Sequence, residues 1–220
     1  MTRAVLFDLF NTLVPGSYGA PVAIGPALGV DAVAFERAFA ACWRRRFMGE
    51  LGDLATTLRS VAHDAGGDPT DAQVASAASL RLASTRELLA AVPATTLSTL
   101  GSLRARGWLI GLVSNVTPGS AAVWRETPMP AYFQAVAFSD EVGSAKPEPG
   151  IYLAACRGLG VSPAECVYVG DGADSELEGA AALGMRAVRT VEHAAVDRGW
   201  TGPTIKALPE LLDLIGAPST

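Results

Sequence analysis

The sequence predicts an α/β fold: a doubly wound parallel sheet with a small helical segment inserted after its first strand. Two observations support this prediction. Short apolar runs alternate with segments of helical periodicity, and uninterrupted apolar runs are typical of strands buried on both faces of a parallel sheet. Between residues 15 and 92 the apolar runs stop and apolar residues recur at helical spacing, with Pro15-Gly16 and Pro93 at the edges.

Predicted strands and helices alternate along most of the chain. The strands cover residues 4–7, 108–113, 135–138, 166–169 and 186–189. Helices are predicted at residues 96–106, 119–125, 150–159, 176–183 and 208–215, and within the inserted segment at 31–48, 54–65 and 71–91. This alternation indicates βαβ units. We therefore expect residues 1–14 and 93–220 to form the sheet domain and residues 15–92 to form a smaller helical domain.

The composition limits the classes of partner. A formal net charge of −5 argues against a nucleic-acid-binding protein, which needs a basic face, but leaves room for a small anionic substrate. The N-terminal apolar run is too short for a signal peptide or a membrane span. The 3 cysteines are widely spaced and form no CxxC pair, which favours buried thiols in a reducing compartment. We expect a cytoplasmic protein with no membrane partner.

Polar residues follow three of the predicted strands. Asp8 follows the first strand, Ser114-Asn115 the second, and Gly170-Asp171 the fourth. Ligands of open α/β sheets bind at the carboxyl ends of the strands, so these residues are expected to share a site. Taken singly, each residue has an ordinary explanation as a turn or helix-capping residue.

Lys146 is one of only two lysines in the chain, the other being Lys206. It precedes a predicted helix, and the neighbouring Pro147 and Pro149 stiffen the backbone, which favours delivery of one ammonium group to a site. Asparagine is equally rare and occurs only at Asn11 and Asn115, within the polar segments that follow strands. In a composition so poor in these residue types, their positions favour a functional role.

The segment after the fourth strand carries several carboxylates, among them Asp171, Asp174 and Glu176. Clustered carboxylates repel one another unless a cation lies among them, and oxygen ligands of this kind suit Mg²⁺. The segment therefore predicts a magnesium site, and the alternative is a solvated acidic turn.

Together these segments resemble, in order, the four motifs of the haloacid-dehalogenase-like (HAD) hydrolases. Asp8 and Thr12 match the first motif, Ser114 the second, Lys146 the third, and Asp171 with Glu176 the fourth. The resemblance covers the whole chain, and an insert after the first motif is typical of the subclass with a helical cap. It implies a Rossmann-like core with a small α-helical cap domain.

The resemblance also implies roles for the residues around the nucleophile. Asp8 would be the nucleophile of a covalent aspartyl intermediate. A Mg²⁺ cofactor would be held by Asp8, the main-chain carbonyl of Phe10 and Asp171. Glu176 would act indirectly, through water or by orienting Lys146.

The phosphate side of the site is implied in the same way. Substrate-binding roles fall to Thr12, Ser114, Asn115 and Lys146, and Lys146 is also expected to be catalytic. The resemblance therefore implies a phosphatase-type hydrolase of a small phosphorylated metabolite, acting as a monomer or a homodimer.

Two positions depart from the phosphatase pattern. Phe10 stands where phosphatases of this family carry a second aspartate as general acid and base, a group worth on the order of 10²–10⁴-fold in rate. Glu176 stands where aspartate is commoner, one methylene longer but still a carboxylate. We expect phosphate monoester hydrolysis to be weak or restricted to good leaving groups.

Phe10 leaves two alternatives open. An aromatic residue at this position resembles the dehalogenase branch, whose halide leaving group needs neither a proton nor a metal. In that case residues 43–47 would supply aromatic side chains and an arginine for a substrate carboxylate, unless Arg44, Arg45 and Arg46 lie on a solvated helix face. The other alternative is a catalytically feeble protein that binds a ligand or a partner.

Overall fold

The computed structural model describes residues 3–16, 23–194 and 199–218, and it contains a parallel sheet of six strands. In chain order the strands are β1 (Ala4–Phe7), β2 (Leu109–Ser114), β3 (Ala135–Phe138), β4 (Cys166–Gly170), β5 (Arg186–Thr190) and β6 (Thr204–Ile205). The spatial order is β3-β2-β1-β4-β5-β6, so β1 lies between β2 and β4. The predicted doubly wound α/β fold is confirmed.

Helices surround the sheet and form the inserted segment. They are α1 (Ile24–Ala27), α2 (Ala32–Ala41), α3 (Trp43–Phe47), α4 (Leu54–Asp64), α5 (Asp71–Ala90), α6 (Ala94–Ala105), α7 (Ser120–Arg125), α8 (Ser139–Val142), α9 (Pro149–Leu159), α10 (Glu176–Ala182) and α11 (Leu211–Ile215). Short 3-10 helices cover Met129–Tyr132, Pro163–Glu165, Ala173–Ser175 and Leu208–Glu210.

The predicted elements agree with this structure except where an element is short or broken. The helix predicted at residues 31–48 is divided into α2 and α3, because Cys42 has φ −95° and ψ 17°, outside the helical region. The helix predicted at residues 208–215 is divided into a 3-10 turn and α11. The sequence analysis missed β6, α1 and α8, which are too short to produce a periodic pattern.

Both faces of the sheet are buried. Successive side chains of β1 point to opposite faces, so Val5 and Phe7 pack with α6 and α7 on one side. Leu6 packs on the other side with residues of α9 and α10, such as Tyr152 and Leu177. The central strands thereby fix the position of whatever follows their carboxyl ends.

Among helices α1–α5, all but α3 contribute to a hydrophobic cluster that includes Ile24, Phe35, Leu58 and Val74. We call α1–α5 the cap helices. Their separate cluster supports the division into a cap of residues 15–92 and a core of residues 1–14 and 93–220, but the boundaries themselves stay a prediction.

Two further features bear on the class of protein. Within the described ranges, no helix has the length and apolar character needed to cross a membrane. Cys42, Cys156 and Cys166 are all buried free thiols, as the sequence predicts.

Candidate active site

Asp8 directly follows β1, the strand that lies between β2 and β4 in the sheet. Its amide donates a hydrogen bond to the carbonyl of Val169 on β4 at 2.9 Å, so the sheet itself fixes its backbone. Its carboxylate accepts one hydrogen bond from Lys146 Nζ on Oδ1 and another from Thr12 Oγ1 on Oδ2, the latter at 3.2 Å. Asp8, Thr12 and Lys146 are all buried, and the structure thus brings three predicted site residues into contact.

The chain turns sharply after Asp8. Asn11 has a φ of 57°, in the left-handed region that asparagine tolerates better than most residues. Its amide donates to the carbonyl of Val14 at 2.7 Å, and its side-chain oxygen accepts from the amide of Gly16 at 3.1 Å. One of the two asparagines therefore shapes the loop that carries the nucleophile candidate.

The other asparagine holds the backbone of the candidate lysine. The amide of Lys146 donates to Asn115 Oδ1 at 2.8 Å, and Asn115 Nδ2 donates to the carbonyl of Lys146 at 3.2 Å and to Asp174 Oδ2 at 3.1 Å. The sequence predicted a substrate-binding role for Asn115. The structure adds a structural one, because the carboxyl end of β2 is tied to the lysine loop.

Glu176 lies at the start of α10 and is completely buried. Its Oε2 accepts hydrogen bonds from Lys146 Nζ at 2.5 Å and from the hydroxyl of Tyr168 at 2.7 Å. Its Oε1 accepts from the amide of Gly172 at 3.1 Å. The resemblance implies two alternative roles for Glu176, one through water and one in orienting Lys146. These contacts favour the orientation of Lys146.

Three carboxylates converge beside this lysine. Oxygen atoms of Asp8, Asp171 and Glu176 lie within 4.8 Å of one another, and all three residues are buried. Asp171 Oδ1 accepts from the amide of Ala173 at 2.8 Å, whereas its Oδ2 is buried with no hydrogen-bond partner among the described residues. One ammonium group cannot balance three carboxylates, so the cluster has the charge and the oxygen donors to hold a cation.

The electrostatics of the cluster follow from burial and crowding. Burial raises the pKa of Asp8 above its usual range, although Lys146 opposes the shift. Burial also raises the pKa of Glu176, to about 8, with Asp8 adding to the effect. For Lys146, burial alone would lower the pKa, but the adjacent carboxylates outweigh burial and hold the pKa well above its usual value. The surroundings of Lys146 therefore favour its charged form.

Ser114 ends β2, which is the neighbour of β1 in the sheet. It is fully buried, and its hydroxyl has no hydrogen-bond partner among the described residues. Buried hydroxyls are normally hydrogen-bonded, so this one is a donor without a partner in the described ranges, directly before Asn115, although Ser114 itself is not one of the residues that line the cavity beside the carboxylates.

A cavity of about 240 Å³ opens on these groups. Its lining residues come from the strand ends and from the cap, and they are Asp8, Phe10, Asn11, Phe47, Asn115, Lys146, Asp171, Ala173 and Asp174. Larger cavities of about 380, 480 and 570 Å³ lie elsewhere, but none of them is lined by the buried carboxylates. The smaller cavity is therefore the one lined by the candidate nucleophile, the lysine and the acidic cluster.

The cavity contains residues that the sequence analysis did not assign to the site. Asp174 belongs to the acidic run that signalled a cation site, and its φ of 53° is left-handed. Phe47 belongs to the aromatic segment considered for a halide pocket. Tyr168 does not line the cavity but donates to Glu176, and its only signal in the sequence is an apolar strand that predicts a core residue.

The three consecutive arginines of the cap have different surroundings. The side chains of Arg44 and Arg45 are 55% and 56% exposed, and Arg44 forms an ion pair with Glu148 at 2.5 Å. Arg46 is only 5% exposed. Its Nε and Nη2 donate to the carbonyl of Phe39 at 3.1 and 2.8 Å, and its guanidinium carbon lies 3.4 Å from the centroid of the Phe39 ring. A solvated helix face describes the first two arginines and is wrong for Arg46, which caps the end of α2.

Two curated relatives resemble this chain. A glyceraldehyde 3-phosphate phosphatase of Methanopyrus kandleri is 41% identical over 95 residues, which cover 41% of this chain and 40% of that protein, less than half its length. A phosphoglycolate phosphatase of Shigella boydii is 28% identical over an alignment of 251 residues that covers 98% of this chain and 93% of that protein.

Two solved structures share the fold. A 2-haloacid dehalogenase from Pseudomonas syringae pv. tomato DC3000 has a TM-score of 0.71 with 22% identity, and the match covers 98% of each chain. A HAD family enzyme from Bacteroides thetaiotaomicron, in complex with magnesium and inorganic phosphate, has a TM-score of 0.65 with 19% identity, covering 90% of this chain and 98% of the other.

The family itself is shown by a match that spans most of the sequence. Residues 2–184 match the model of the haloacid dehalogenase-like hydrolases. The sheet order, the insert after β1 and the residues gathered at the strand ends agree with that match. The chain is a hydrolase and belongs to the haloacid dehalogenase-like family.

Proposed function

We propose that this hydrolase is a Mg²⁺-dependent phosphatase of a small phosphorylated metabolite that acts through an aspartyl-phosphate at Asp8. The observation that carries the proposal is the buried cluster in which Asp8 contacts Lys146 and lies within 4.8 Å of Asp171. The phosphatase relatives and the magnesium and phosphate complex of a structural neighbour support the same chemistry.

The residues present fit a magnesium ion. Asp171 Oδ2 is buried and unpaired among the described residues, which is costly for a carboxylate unless a ligand satisfies it. Asp8 and Asp171 would hold the ion together with the main-chain carbonyl of Phe10. Glu176 accepts three hydrogen bonds, two of them on Oε2, whereas Asp8 accepts two, so Glu176 has fewer lone pairs left for the ion and would act indirectly. Bound Mg²⁺ would supply positive charge that offsets the repulsion between a carboxylate and a phosphate dianion.

The chain's own residues carry the covalent steps. A carboxylate oxygen of Asp8 forms a bond to phosphorus while the bond to the leaving oxygen breaks, and that oxygen departs with the electron pair. Water then attacks the phosphorus while the bond from phosphorus to the Asp8 oxygen breaks, which restores the carboxylate, and both protons of the water leave with the product as dihydrogen phosphate. Lys146 and the hydroxyl of Ser114 would donate hydrogen bonds to the phosphoryl oxygens as charge spreads over them.

Phe10 limits the leaving group. Phe10 lines the cavity at the position where the phosphatase pattern of the family implies a proton donor, and a phenyl ring transfers no proton. General acid catalysis is worth on the order of 10²–10⁴-fold, so esters with acidic leaving groups should be turned over and simple alkyl esters much more slowly.

The test is release of phosphate from an activated aryl phosphate, with and without Mg²⁺. We expect Mg²⁺-dependent turnover that Asp8→Asn abolishes. Asp213→Asn makes the same chemical change at an exposed position on α11 and should leave the rate unchanged. Equal rates for wild type and Asp8→Asn, or no Mg²⁺-dependent turnover in the wild type, would reject the proposal.

A second candidate is carbon-centred dehalogenation, favoured by the two phenylalanines, Phe10 and Phe47, that line the cavity. A halide leaves without a proton, so an aromatic residue at position 10 would not lower the rate of dehalogenation. The buried acidic cluster speaks against a reaction that uses no metal. Halide release from a 2-haloacid in the presence of a chelator would favour this candidate. Phosphate binding without any turnover would favour a catalytically feeble ligand-binding protein.

A further inference from the structure

Glu176 occupies its position because the strand in front of it leaves room. A Cβ atom at Gly170 would lie 2.0 Å from Glu176 Oε1 and 2.6 Å from its Cδ. The carboxylate therefore folds back against the end of β4, through space that only a glycine leaves open. Glu176 is one methylene longer than the aspartate that is commoner at this position of the motif. Its carboxylate therefore needs hydrogen-bond partners that hold it in this place.

Tyr168 provides that support from the same strand. It lies two residues before Gly170, on the same face of β4, and is fully buried. Its hydroxyl donates to Glu176 Oε2 at 2.7 Å, and the same oxygen accepts from Lys146 Nζ at 2.5 Å. Its ring packs edge-to-face on Tyr152, with centroids 5.3 Å apart, so the phenol has little freedom to move.

The ammonium group of Lys146 needs this anchor most during turnover. It ends a flexible side chain and contacts two carboxylates, those of Asp8 and Glu176. Under the proposed mechanism Asp8 becomes an acyl phosphate and its carboxylate no longer accepts from Lys146 as before, so Glu176 is the carboxyl group that still holds the ammonium group beside the phosphoryl oxygens. A carboxylate that could rotate would let the lysine follow it away from the phosphoryl oxygens.

We propose that Tyr168 is a positioning residue, whose hydroxyl fixes the Glu176 carboxylate and thereby sets Lys146 Nζ on the reacting group. The kinetic part of this inference rests on the proposed phosphatase function, and the positional part does not. The alternative is that Tyr168 only fills the core and satisfies a buried acid.

The kinetic test is Tyr168→Phe, which removes the hydroxyl and keeps the ring. We expect kcat to fall roughly 10- to 100-fold, the range for loss of one hydrogen bond to a charged group, with a smaller change in KM. Tyr152→Phe is the matched comparison, because its hydroxyl donates to the main-chain carbonyl of Glu176 at 2.8 Å and not to the carboxylate. It removes the same group from the same buried layer.

The positional test needs no turnover. With only Lys146 and Lys206 in the chain, protein labelled with ε-¹³C lysine gives two side-chain signals, and Lys206→Arg assigns them. We expect Tyr168→Phe to shift the Lys146 signal and Tyr152→Phe to shift it less. Combining Tyr168→Phe with Glu176→Gln should change the signal and kcat by less than the sum of the single effects, since both act on one contact.

Each outcome has a defined meaning. A Lys146 signal unchanged by Tyr168→Phe, or shifted equally by Tyr152→Phe, overturns the inference. So does a wild-type kcat in Tyr168→Phe. A wild-type protein without Mg²⁺-dependent phosphatase activity rejects the proposed function instead, and the lysine signals then still decide whether Tyr168 positions Lys146.

Discussion

Replacing Gly170 with alanine tests the packing of the site with a single methyl group. Gly170 ends β4, which is paired with β1 on one side and β5 on the other. The added Cβ would lie 2.0 Å from Glu176 Oε1, far inside any tolerated contact. Either the strand or the carboxylate must move, and the less costly of the two movements decides the loss of stability.

The magnitude follows from what each movement costs. Overpacking relieved by backbone shifts costs about 1–3 kcal/mol. Turning Glu176 away breaks its buried pair with Lys146, and breaking a buried pair costs about 3–5 kcal/mol. The less costly movement sets the loss, so the free energy of unfolding should fall by about 1–3 kcal/mol, which for a chain of this size lowers Tm by roughly 2–12 °C.

Thermal unfolding of wild type and Gly170→Ala measures this loss, and phosphate release measures its effect on the site. Gly101→Ala is the control, because its Cβ would meet only Tyr132, at 3.9 Å, within α6. Alanine is the better helix former, so this variant should gain up to about 1 kcal/mol. A Gly170→Ala protein as stable and active as the wild type would refute the argument that Glu176 fills that space.

Three further predictions concern the hydroxyl of Ser114, the proposed Mg²⁺ ion and Asp140, an acid outside the site. Ser114→Ala should leave Tm unchanged, because its hydroxyl has no partner to lose among the described residues, while kcat falls on the order of 10²-fold as for loss of one oxyanion donor. Mg²⁺ at about 100 times its Kd should stabilise the protein by about 2.7 kcal/mol, and Asp171→Asn should abolish the shift in thermal unfolding. Asp140→Asn should raise stability at neutral pH, because burial, with help from Glu141, raises the pKa of Asp140 to about 6. The folded state therefore binds the proton more tightly than the unfolded chain, and the penalty appears as pH rises from about 4 to 6 and is absent below that window; partial solvent exposure limits it to about 1 kcal/mol.

Each of these has a contradicting result. A Ser114→Ala protein with full activity would mean that the hydroxyl meets no substrate. A Mg²⁺ shift that survives in Asp171→Asn would put the cation elsewhere, and Ca²⁺ is the comparison for selectivity. A stability difference between Asp140→Asn and wild type that persists at pH 3.5 would show that the raised pKa is not its cause.

The sequence alone was enough to place the elements that carry the site. Continuous apolar runs end before Asp8, Ser114 and Asp171, and parallel strands bring their carboxyl ends to one edge whatever the details of packing. The scarcity of lysine and asparagine in the composition drew attention to Lys146 and Asn115, because a residue type that the chain rarely uses is expected where a specific role requires it. Strand identity was therefore readable from local pattern and order, whereas the roles of the site residues stay a prediction.

Only the tertiary structure could decide how the side chains meet. That Arg46 turns inward depends on where α2 breaks at Cys42, and no periodicity marks that break. That Tyr168 touches Glu176 depends on two elements separated by a turn with left-handed residues at Asp174 and Ser175. A sequence pattern records which face a side chain takes, because that is a property of one element, whereas a contact between buried polar groups is a property of two elements and of the space between them.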